Sequence, residues 1–523
     1  MIENRIYKFA NKSIAFLFEI LAVFFLLGRI CKTLFSSSEN IIIKTVILIG
    51  ILAIFSAIIL LWDKIDKKIA FFKECIRKMS VKRMILCIVI VGLITKLFCL
   101  FLFHLDPTKY SDFRMTWSFI CQFTEKGRIT ENIEFANRYK YYVMFSTFFL
   151  PFTKVFGVKS VLIPSIYFCL LFTVCAVLLF DTINYHYGKN YAFAAVMAWL
   201  LIPVGMLEPL ILVHENVLVI LHIIVIWILF RLILSTDKKV LKVVYVVASS
   251  IILGYAGTIN KFAYVSIFVL IIMAFIISLK EKIKLINVIK LIAIIILFVS
   301  MISVFGNLKL AIVEKYVEPA QTNITKGYNL KLGWPIFVGS NYETYGTWSQ
   351  EDYDEYYKYY EFDNKEDAIQ YQKDLISKRL NDYKTHPARI LFHVIHKFEN
   401  ISYDFNPLYY QIGNSVNDFL VNGLNGIVYK IMAGSFMLLS IIISFLVVLS
   451  YKRKMSDDST LMSYFKLFML GCCLILLFVE VMAKYSSHLL FVYLSIAVLN
   501  YKNISSNAFL IRNKLLKPFK KSD

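Results

Sequence analysis

The chain has 523 residues, of which 59% are hydrophobic and 18% are charged, and its formal net charge is +21. Soluble domains average roughly 25% charged residues, and repeated apolar runs of about 20 residues predict a polytopic α-helical membrane protein instead. The positive charge does not indicate nucleic acid, because residues 306–426 hold 12 Lys+Arg and 16 Asp+Glu, a net −4. The remaining +25 falls mainly in short loops and the C-terminal tail, as in cytoplasmic loops.

Twelve spans are predicted, and the first is interpreted as a first span or signal anchor because no small-residue cleavage site follows it. The predicted spans are approximately 13–30, 41–62, 84–104, 159–181, 190–205, 209–233, 240–257, 262–279, 286–305, 427–450, 460–482 and 487–500. Lys and Arg then concentrate in every second loop, most of all in 63–83. The positive-inside rule therefore predicts that both termini are cytoplasmic.

Two long segments are predicted on the outer side, and the first is 105–158. Phe113, Trp117, Ile120 and Cys121 recur there at helical spacing, which predicts an amphipathic helix in the membrane interface. The apolar stretch 141–156 that follows is short and is interrupted by a proline, so it predicts an interfacial or re-entrant helix instead of a span.

The second outer segment, 306–426, combines Gly-containing turns with helical patterns near 364–384 and from 388 to 398. A segment of this length with helices of its own predicts a small exterior domain instead of a linker. The predicted organisation is an N-terminal transmembrane module at 1–305 with a catalytic exterior loop at 105–158, the exterior domain at 306–426, and a C-terminal transmembrane module with a basic cytoplasmic tail at 427–523.

Asp112 is the first candidate for a catalytic residue. It lies just beyond the third predicted span, on the predicted outer side. A carboxylate at that surface could accept the proton of an acceptor hydroxyl as it attacks an anomeric carbon. The alternative is structural, because Ser111 or Asp112 could cap the helix that begins at Phe113. The two roles are compatible, since a cap also holds the side chain in place.

His214 and Glu215 begin a later apolar run at its predicted outer end. A charged side chain at the bilayer centre costs ~2.5–3.5 kcal/mol on insertion scales, so Glu215 should face protein or a water-filled cavity. It is either a structural contact between helices or a second carboxylate of the active site, with His214 near the acceptor. Asp112 and Glu215 together could hold a divalent cation such as Mg²⁺ or Mn²⁺, although the sequence does not require one.

A phosphate at the outer membrane surface would need cations, and four side chains are candidates. They are Lys484, Lys261, Arg138 and Lys140, of which Lys484 ranks first because it lies in the short final outer turn. Each is alternatively an interfacial base that keeps its charged end in water. Sugar rings could stack on Trp334, Tyr345 and Trp348, which are alternatively part of an aromatic belt at the membrane surface.

The order of these features resembles the GT-C glycosyltransferases, membrane enzymes that use polyprenyl-phosphate-linked sugars. That family includes the protein O-mannosyltransferases and the lipid A aminoarabinose transferases. The matching features are Ser111-Asp112 after an early span, the run Tyr141–Pro151, the start His214-Glu215-Asn216 of a later span, the helix Pro387–Lys397, and the final turn Glu480 … Lys484-Tyr485. The chain departs from the family in having Lys484 where Arg is commoner, and in having three spans before the catalytic loop.

The resemblance implies an all-α GT-C-like membrane protein of about 12 (11–13) transmembrane helices. It implies an inverting glycosyltransferase at the outer face of a bacterial cytoplasmic membrane, which transfers a sugar from a polyprenyl-phosphate donor to an envelope glycan, lipid or protein. Asp112 would be the base, Glu215 an acidic helper, and Lys484 with Lys261 the phosphate ligands. A lipid-linked oligosaccharide flippase or other transporter, and an O-antigen-type polymerase, remain as alternatives.

Overall fold

The computed structural model describes residues 2–37, 40–103, 111–280, 285–318, 328, 330, 332–401, 424–451, 459–481 and 487–517. Within these ranges the chain is helical, and the single pairing of extended backbone is a parallel bridge between Ile129 and Val317. The helices are α1 Ile2–Ser37, α2 Ile41–Leu60, α3 Trp62–Lys78, α4 Val81–Phe103, α5 Ser111–Glu125, α6 Ile133–Arg138, α7 Lys140–Thr147, α8 Leu150–Phe156, α9 Leu162–Tyr187, α10 Lys189–Leu201, α11 Pro203–Leu207, α12 His214–Ser235, α13 Lys239–Ile259, α14 Ala263–Lys280, α15 Leu285–Tyr316, α16 Gly333–Gly339, α17 Gln350–Tyr356, α18 Lys365–Thr385, α19 Ala388–Ile401, α20 Leu424–Leu449, α21 Thr460–Phe478, α22 Ser487–Leu499 and α23 Tyr501–Leu516.

Nine of the described helices are long and apolar enough to cross a membrane: α1, α2, α4, α9, α12, α13, α15, α20 and α21. A tenth crossing can be made by α10 together with the residues from α11 to Leu210, although the two parts are bent by 70°. Two shorter apolar helices lie in α14 and α22. These helices confirm a polytopic α-helical membrane protein, and the twelve predicted spans are reached only if both short helices also cross.

The bend between α10 and α11 interrupts a span that the sequence predicts as continuous over 190–205. Pro203 opens α11, because a proline ring clashes with the preceding turn and lacks the N–H that would continue it. The buried chain between α11 and α12 therefore needs side-chain partners for its carbonyl groups. Asn216 supplies them, since its Nδ2 donates to Glu208 O at 2.5 Å and to Ile211 O at 2.9 Å.

One end of the bundle is defined by hydrogen bonds between distant parts of the chain. Lys189 Nζ, at the start of α10, donates to Arg77 O at 2.9 Å and to Met79 O at 2.7 Å, at the end of α3. Tyr187 OH lies 2.5 Å from Ser459 Oγ, which brings the end of α9 to the start of α21. The last helix, α23, packs along α3 at the same place. We call this the α3 end.

The opposite end gathers the short helices α5–α8 and the segment 333–401. Ile129 N donates to Tyr316 O at 2.8 Å, which joins the chain after α5 to the end of α15. Val481 N, just after α21, donates to Gly346 O at 2.8 Å. The described parts of both segments that the sequence predicts on the outer side thus lie together, and we call this the α7 end.

The segment 333–401 has a small core of its own. Gln372, which is fully buried, ties this core together: its Oε1 accepts from Leu330 N and from Tyr356 OH, both at 2.8 Å. The buried apolar residues are Phe337, Val338, Tyr356, Tyr359 and Ala368. The helices predicted near 364–384 and from 388 to 398 are present as α18 and α19.

Three elements near the α7 end can be compared with their sequence-based predictions. The predicted amphipathic helix is α5, which begins at Ser111 and buries Phe113 and Ile120. The apolar stretch 141–156, predicted as one short helix, forms two, α7 and α8, and the proline lies in the first turn of α8. The span predicted to end at residue 305 continues as α15 to Tyr316, so the predicted boundary of the polar segment falls inside a helix.

Candidate functional site

The short helix α7 is the centre of the candidate site. It packs against α5, against α13 and α15, and against the start of α12. The rings of Tyr141 and Tyr142 lie 4.9 and 5.5 Å from the His214 ring. At its other end, Thr147 Oγ1 lies 3.5 Å from Tyr255 OH of α13. Elements that are far apart in sequence therefore bring candidate residues together around one helix.

Asp112 lies in the first turn of α5, one residue after the helix begins at Ser111. Its backbone is described, but its side chain lies outside the described residues. An acidic residue in the first turn interacts favourably with the positive end of the helix dipole. The next residue, Phe113, is fully buried, so the start of α5 is anchored against the bundle. The role of Asp112 as a base stays a prediction.

His214 and Glu215 form a buried polar pair at the start of α12. Glu215 is fully buried, and neither of its carboxylate oxygens accepts a hydrogen bond within the described part of the chain. Its Oε2 lies 3.3 Å from His214 Nδ1. A carboxylate without hydrogen-bond donors inside a membrane protein is costly, which makes such a residue a candidate for function. The prediction that Glu215 faces protein is confirmed by its burial.

Two further charged residues near this pair were not predicted as site residues. Glu208, in the turn after α11, is 2% exposed, and Lys96 of α4 is 1% exposed. The charge of Glu208 acts on the Lys96 ammonium, whose nitrogen has no hydrogen-bond partner. Lys96 could have been found, because it is the only charged residue in the predicted span 84–104. Glu208 gave no such signal, since the sequence predicts its position as an exposed loop.

Three lysines from three elements converge beside α7. Lys140 is the first residue of α7, Lys261 follows α13, and Lys309 lies about two turns before the end of α15. The charges of Lys140 and Lys261 both act on Lys309. Within the described residues, none of the three forms an ion pair or a hydrogen bond. Two of them were predicted phosphate ligands; Lys309 was not, because its position was assigned to the exterior domain.

Arg138 has a different environment from these lysines. Its guanidinium donates to Tyr353 OH and lies over the rings of Tyr357 and Tyr360, at 4.8 and 4.9 Å from their centroids. These contacts attach α6 to the segment 333–401, and cation–π contacts of this kind are individually modest. The structure therefore gives Arg138 a docking contact, and its role as a phosphate ligand stays a prediction.

The three predicted sugar-binding aromatics lie in three different settings. Trp334 packs in the tyrosine core of the 333–401 segment, with its ring 5.2 Å from that of Tyr357. Tyr345 stacks on His396 at 3.9 Å. Trp348 is 47% exposed, so it is the one of the three whose ring face is most available to a ligand.

Lys397 anchors the segment 333–401 to the bundle. Its Nζ donates to Leu476 O, Leu477 O and Val479 O, at 3.2, 2.9 and 2.8 Å, which are free carbonyl groups at the C-terminal end of α21. Burial lowers the pKa of Lys397 to about 7, and the charge of Glu480 acts in the opposite direction.

Two glycines allow this close approach. A Cβ on Gly339 would lie 2.3 Å from Val479 C, and a Cβ on Gly346, whose φ is +76°, would lie 2.5 Å from Lys397 Cε. Lys484, the first-ranked phosphate ligand, lies outside the described residues. Its neighbour Val481 is fixed to Gly346, so the final turn starts against the 333–401 segment.

The described residues contain no group of three or more His, Cys, Asp or Glu side chains that could hold a metal ion. The predicted pairing of Asp112 with Glu215 around Mg²⁺ or Mn²⁺ depends on a side chain outside that description, and it stays a prediction. The chain matches no model of a protein family, no curated protein sequence and no solved structure.

The arrangement has two chemically distinct halves. One is the set of three lysines, which form no ion pair within the described residues and are suited to a multiply charged anion such as a phosphate. The other is the buried group of Glu208, His214 and Glu215, which contains side chains able to accept protons. A substitution in which a hydroxyl group displaces a phosphate needs both within one site: cations for the leaving phosphate and an acceptor for the hydroxyl proton.

Proposed function

We propose that this protein is an integral-membrane, inverting glycosyltransferase of the GT-C type with about 12 spans. It would use a polyprenyl-phosphate-linked sugar as donor and an envelope glycan, lipid or protein as acceptor, on the outer face of the cytoplasmic membrane. The observation that carries the proposal is the convergence of Lys140, Lys261 and Lys309 beside the α7 helix, next to the buried pair His214 and Glu215.

In the proposed reaction, the acceptor hydroxyl oxygen attacks the anomeric carbon of the donor sugar. The new carbon–oxygen bond forms as the bond to the phosphate oxygen breaks, and the hydroxyl proton passes to the Asp112 carboxylate. The polyprenyl phosphate leaves with the extra negative charge, which the three lysines and Lys484 would stabilise. Attack opposite to the leaving group inverts the anomeric carbon.

Two residues outside the initial prediction gain roles. Lys309 would be a third ligand of the donor phosphate, since its charge has no acidic partner among the described residues. Glu208 would line the acceptor side together with Glu215, and its charge acts on the buried ammonium of Lys96. Trp348 is the aromatic side chain best exposed to stack on a sugar ring.

The test is a transfer assay with purified protein in nanodiscs, labelled polyprenyl-phosphate hexoses and pentoses, and a membrane extract as the source of acceptor. We expect a labelled product from the wild type. Asp112→Asn should lower the rate by about 10²–10⁴, because a general base contributes that much. Asp106→Asn is the matched control, as it removes a carboxylate six residues earlier in the sequence without changing the proposed base.

Full transfer activity of Asp112→Asn, together with an unchanged unfolding temperature, would overturn the role of Asp112. The main alternative is a flippase or other transporter, and the bent pair α10–α11 beside buried carboxylates favours it, because transporters build midplane sites from broken helices. Movement of labelled lipid across a vesicle membrane, without a new glycosidic bond, would support that alternative against the transferase.

A further inference from the structure

The helix α3 at the α3 end has two faces with opposite roles. Trp62 on one face is 2% exposed, and its Nε1 donates to Ser505 Oγ of α23 at 3.2 Å. Asp66 on the same face accepts hydrogen bonds from Tyr501 OH and Ser505 Oγ. Lys189 holds the end of the helix through its last carbonyl groups. One face of α3 is therefore fixed against the body of the protein.

Every acidic residue of α3 is occupied by a described partner. Asp63 pairs with Arg512 at 2.5 Å, Asp66 accepts the two hydrogen bonds from α23, and Glu74 pairs with Arg77 at 2.9 Å. None of these contacts involves the lysines of the opposite face. The positive charge of that face is thus not compensated within the described part of the chain.

The opposite face is a row of exposed residues at helical spacing. It consists of Lys64, Lys67, Lys68, Phe71, Cys75 and Lys78, and Phe71 is 66% exposed. Residues three and four apart share one side of a helix, so these six form a continuous stripe. We call it the lysine stripe.

The position of α3 sets what the lysine stripe can contact. The helix directly follows the apolar helix α2 and directly precedes α4, both of which are candidate membrane spans. Both spans must return to the same membrane surface, and a helix of 17 residues covers about 25 Å along it. The exposed face of α3 is therefore at the level of the lipid headgroups, where a basic helix with an exposed phenylalanine binds.

We propose that the lysine stripe binds the anionic phospholipid headgroups of the adjacent leaflet, with Phe71 among the upper parts of the acyl chains. Each lysine near an anionic membrane surface adds to the attraction, and the stripe presents four of them. The occupant is a lipid and not a soluble acidic protein, because the stripe is joined at both ends to spans that fix it at the bilayer surface.

The test compares nanodiscs of phosphatidylcholine alone with nanodiscs that also contain phosphatidylglycerol. Cys75 is the reporter: it is exposed within the stripe, while the other eight cysteines are buried or partly buried. We expect phosphatidylglycerol to slow alkylation of Cys75 by a membrane-impermeant maleimide. Native mass spectrometry should find phosphatidylglycerol retained on the released protein.

The variant Lys64→Gln/Lys67→Gln/Lys68→Gln/Lys78→Gln should bind phosphatidylglycerol at least about tenfold more weakly. Its matched control is Lys238→Gln/Lys239→Gln/Lys242→Gln, which removes three exposed lysines at the start of α13 and should keep that affinity. Equal retention of phosphatidylglycerol by the stripe variant and the wild type would overturn the proposal. An equal loss in the control variant would also overturn it, since the binding would then follow total charge. Unchanged unfolding temperatures in phosphatidylcholine show that both variants fold.

Discussion

Both ends of the bundle carry lysines that form no ion pair within the described residues, but they arrange them differently. At the α7 end, Lys140, Lys261 and Lys309 come from three separate elements, and the charges of the first two act on Lys309. At the α3 end, the lysines follow one face of a single helix. Charges that converge from several elements suit one compact anion, whereas a row of charges suits a surface that carries many single charges.

The acidic residues at the two ends show the same division of roles. On α3 the carboxylates are tied to partners on α23 or to the neighbouring turn, which orients the helix. At the α7 end, Glu215 is buried beside α7 and accepts no hydrogen bond within the described residues. A carboxylate kept buried and without donors is suited to chemistry, while a paired one at the surface is suited to positioning.

The largest effect separating the two ends should come from Lys140→Gln/Lys261→Gln/Lys309→Gln. A hydrogen bond to a charged group contributes about 1.5–3 kcal/mol, so loss of three should lower kcat/KM for the donor by at least about 10². The same variant removes mutual repulsion, so its unfolding temperature should stay equal or rise. Transfer assays and thermal unfolding in nanodiscs measure both results.

The control for that variant is the stripe variant of α3, which removes four lysines at the other end. It shows whether transfer responds to the convergent lysines or only to total positive charge. Normal transfer by the Lys140/Lys261/Lys309 variant would contradict the phosphate site, and a lower unfolding temperature would indicate a structural role for these lysines.

The next effect concerns the attachment of the segment 333–401 to the α7 end. Lys397→Met removes the three donors that satisfy the last carbonyl groups of α21, and unsatisfied buried carbonyls cost about 1–3 kcal/mol each. We expect faster proteolysis of the segment. Since the final turn starts against this segment, transfer should also fall, by about tenfold or more.

Lys378→Met is the matched control for this change, because Lys378 is an exposed lysine of α18 in the same segment. Proteolysis and transfer should both stay at wild-type rates in that variant. If Lys397→Met also left the proteolysis pattern unchanged, the attachment would have to depend on Gly339 and Arg138 instead.

Sequence patterns predicted helices at the α7 end, but at the α3 end the prediction of 63–83 as a loop is wrong, since most of it forms the helix α3. Apolar length and the proline in 141–156 predicted a short helix where the structure has two, α7 and α8, and helical spacing predicted α5. The convergence of Lys309 with Lys140 could not be predicted, because it depends on α15 continuing to Tyr316 and on packing between residues far apart in sequence. Hydropathy locates a span but not the point at which a helix ends beyond it.

Lys96 and Glu208 show a second limit of prediction from sequence, which concerns contacts between residues far apart in the chain. Lys96 is the single charge in the predicted span 84–104, which could have marked it as a candidate for function, but no sequence pattern identifies its neighbour. That neighbour is Glu208, and it lies there because Pro203 bends the chain after α10. Long-range contacts created by such a bend follow from tertiary packing, which periodicity within a single helix does not encode.

A smaller effect should appear on acidification, and it concerns His393 at the α7 end. Burial lowers the pKa of His393 to about 4, with the charge of Lys397 acting in the same direction, while Nε2 donates to Gly339 O at 3.0 Å. The unfolded chain binds a proton near pH 6.5, above the folded pKa. Stability is therefore fully present above pH 6.5 and falls between 6.5 and about 4, by on the order of 2–3 kcal/mol.

The measurement is the unfolding temperature of wild type and His393→Gln between pH 7 and pH 4. We expect a smaller decrease for the variant over this range. His386→Gln, which changes an exposed histidine of the same segment, should keep the wild-type slope. A variant slope equal to that of the wild type would show that other groups cause the acid sensitivity of the segment.

The smallest effect is expected at the α3 end. In phosphatidylcholine nanodiscs the stripe variant should transfer sugar within about twofold of the wild-type rate, because fixed charges on the far side of a membrane act only weakly across it. The assay is the same as for the convergent lysines, which makes the two results directly comparable. A large loss of transfer activity would mean that α3 is coupled to the α7 end. The contacts for such coupling are present, because Lys189 joins α3 to α10, and α10 leads to the bend before Glu208. The two ends would then act as parts of one coupled site.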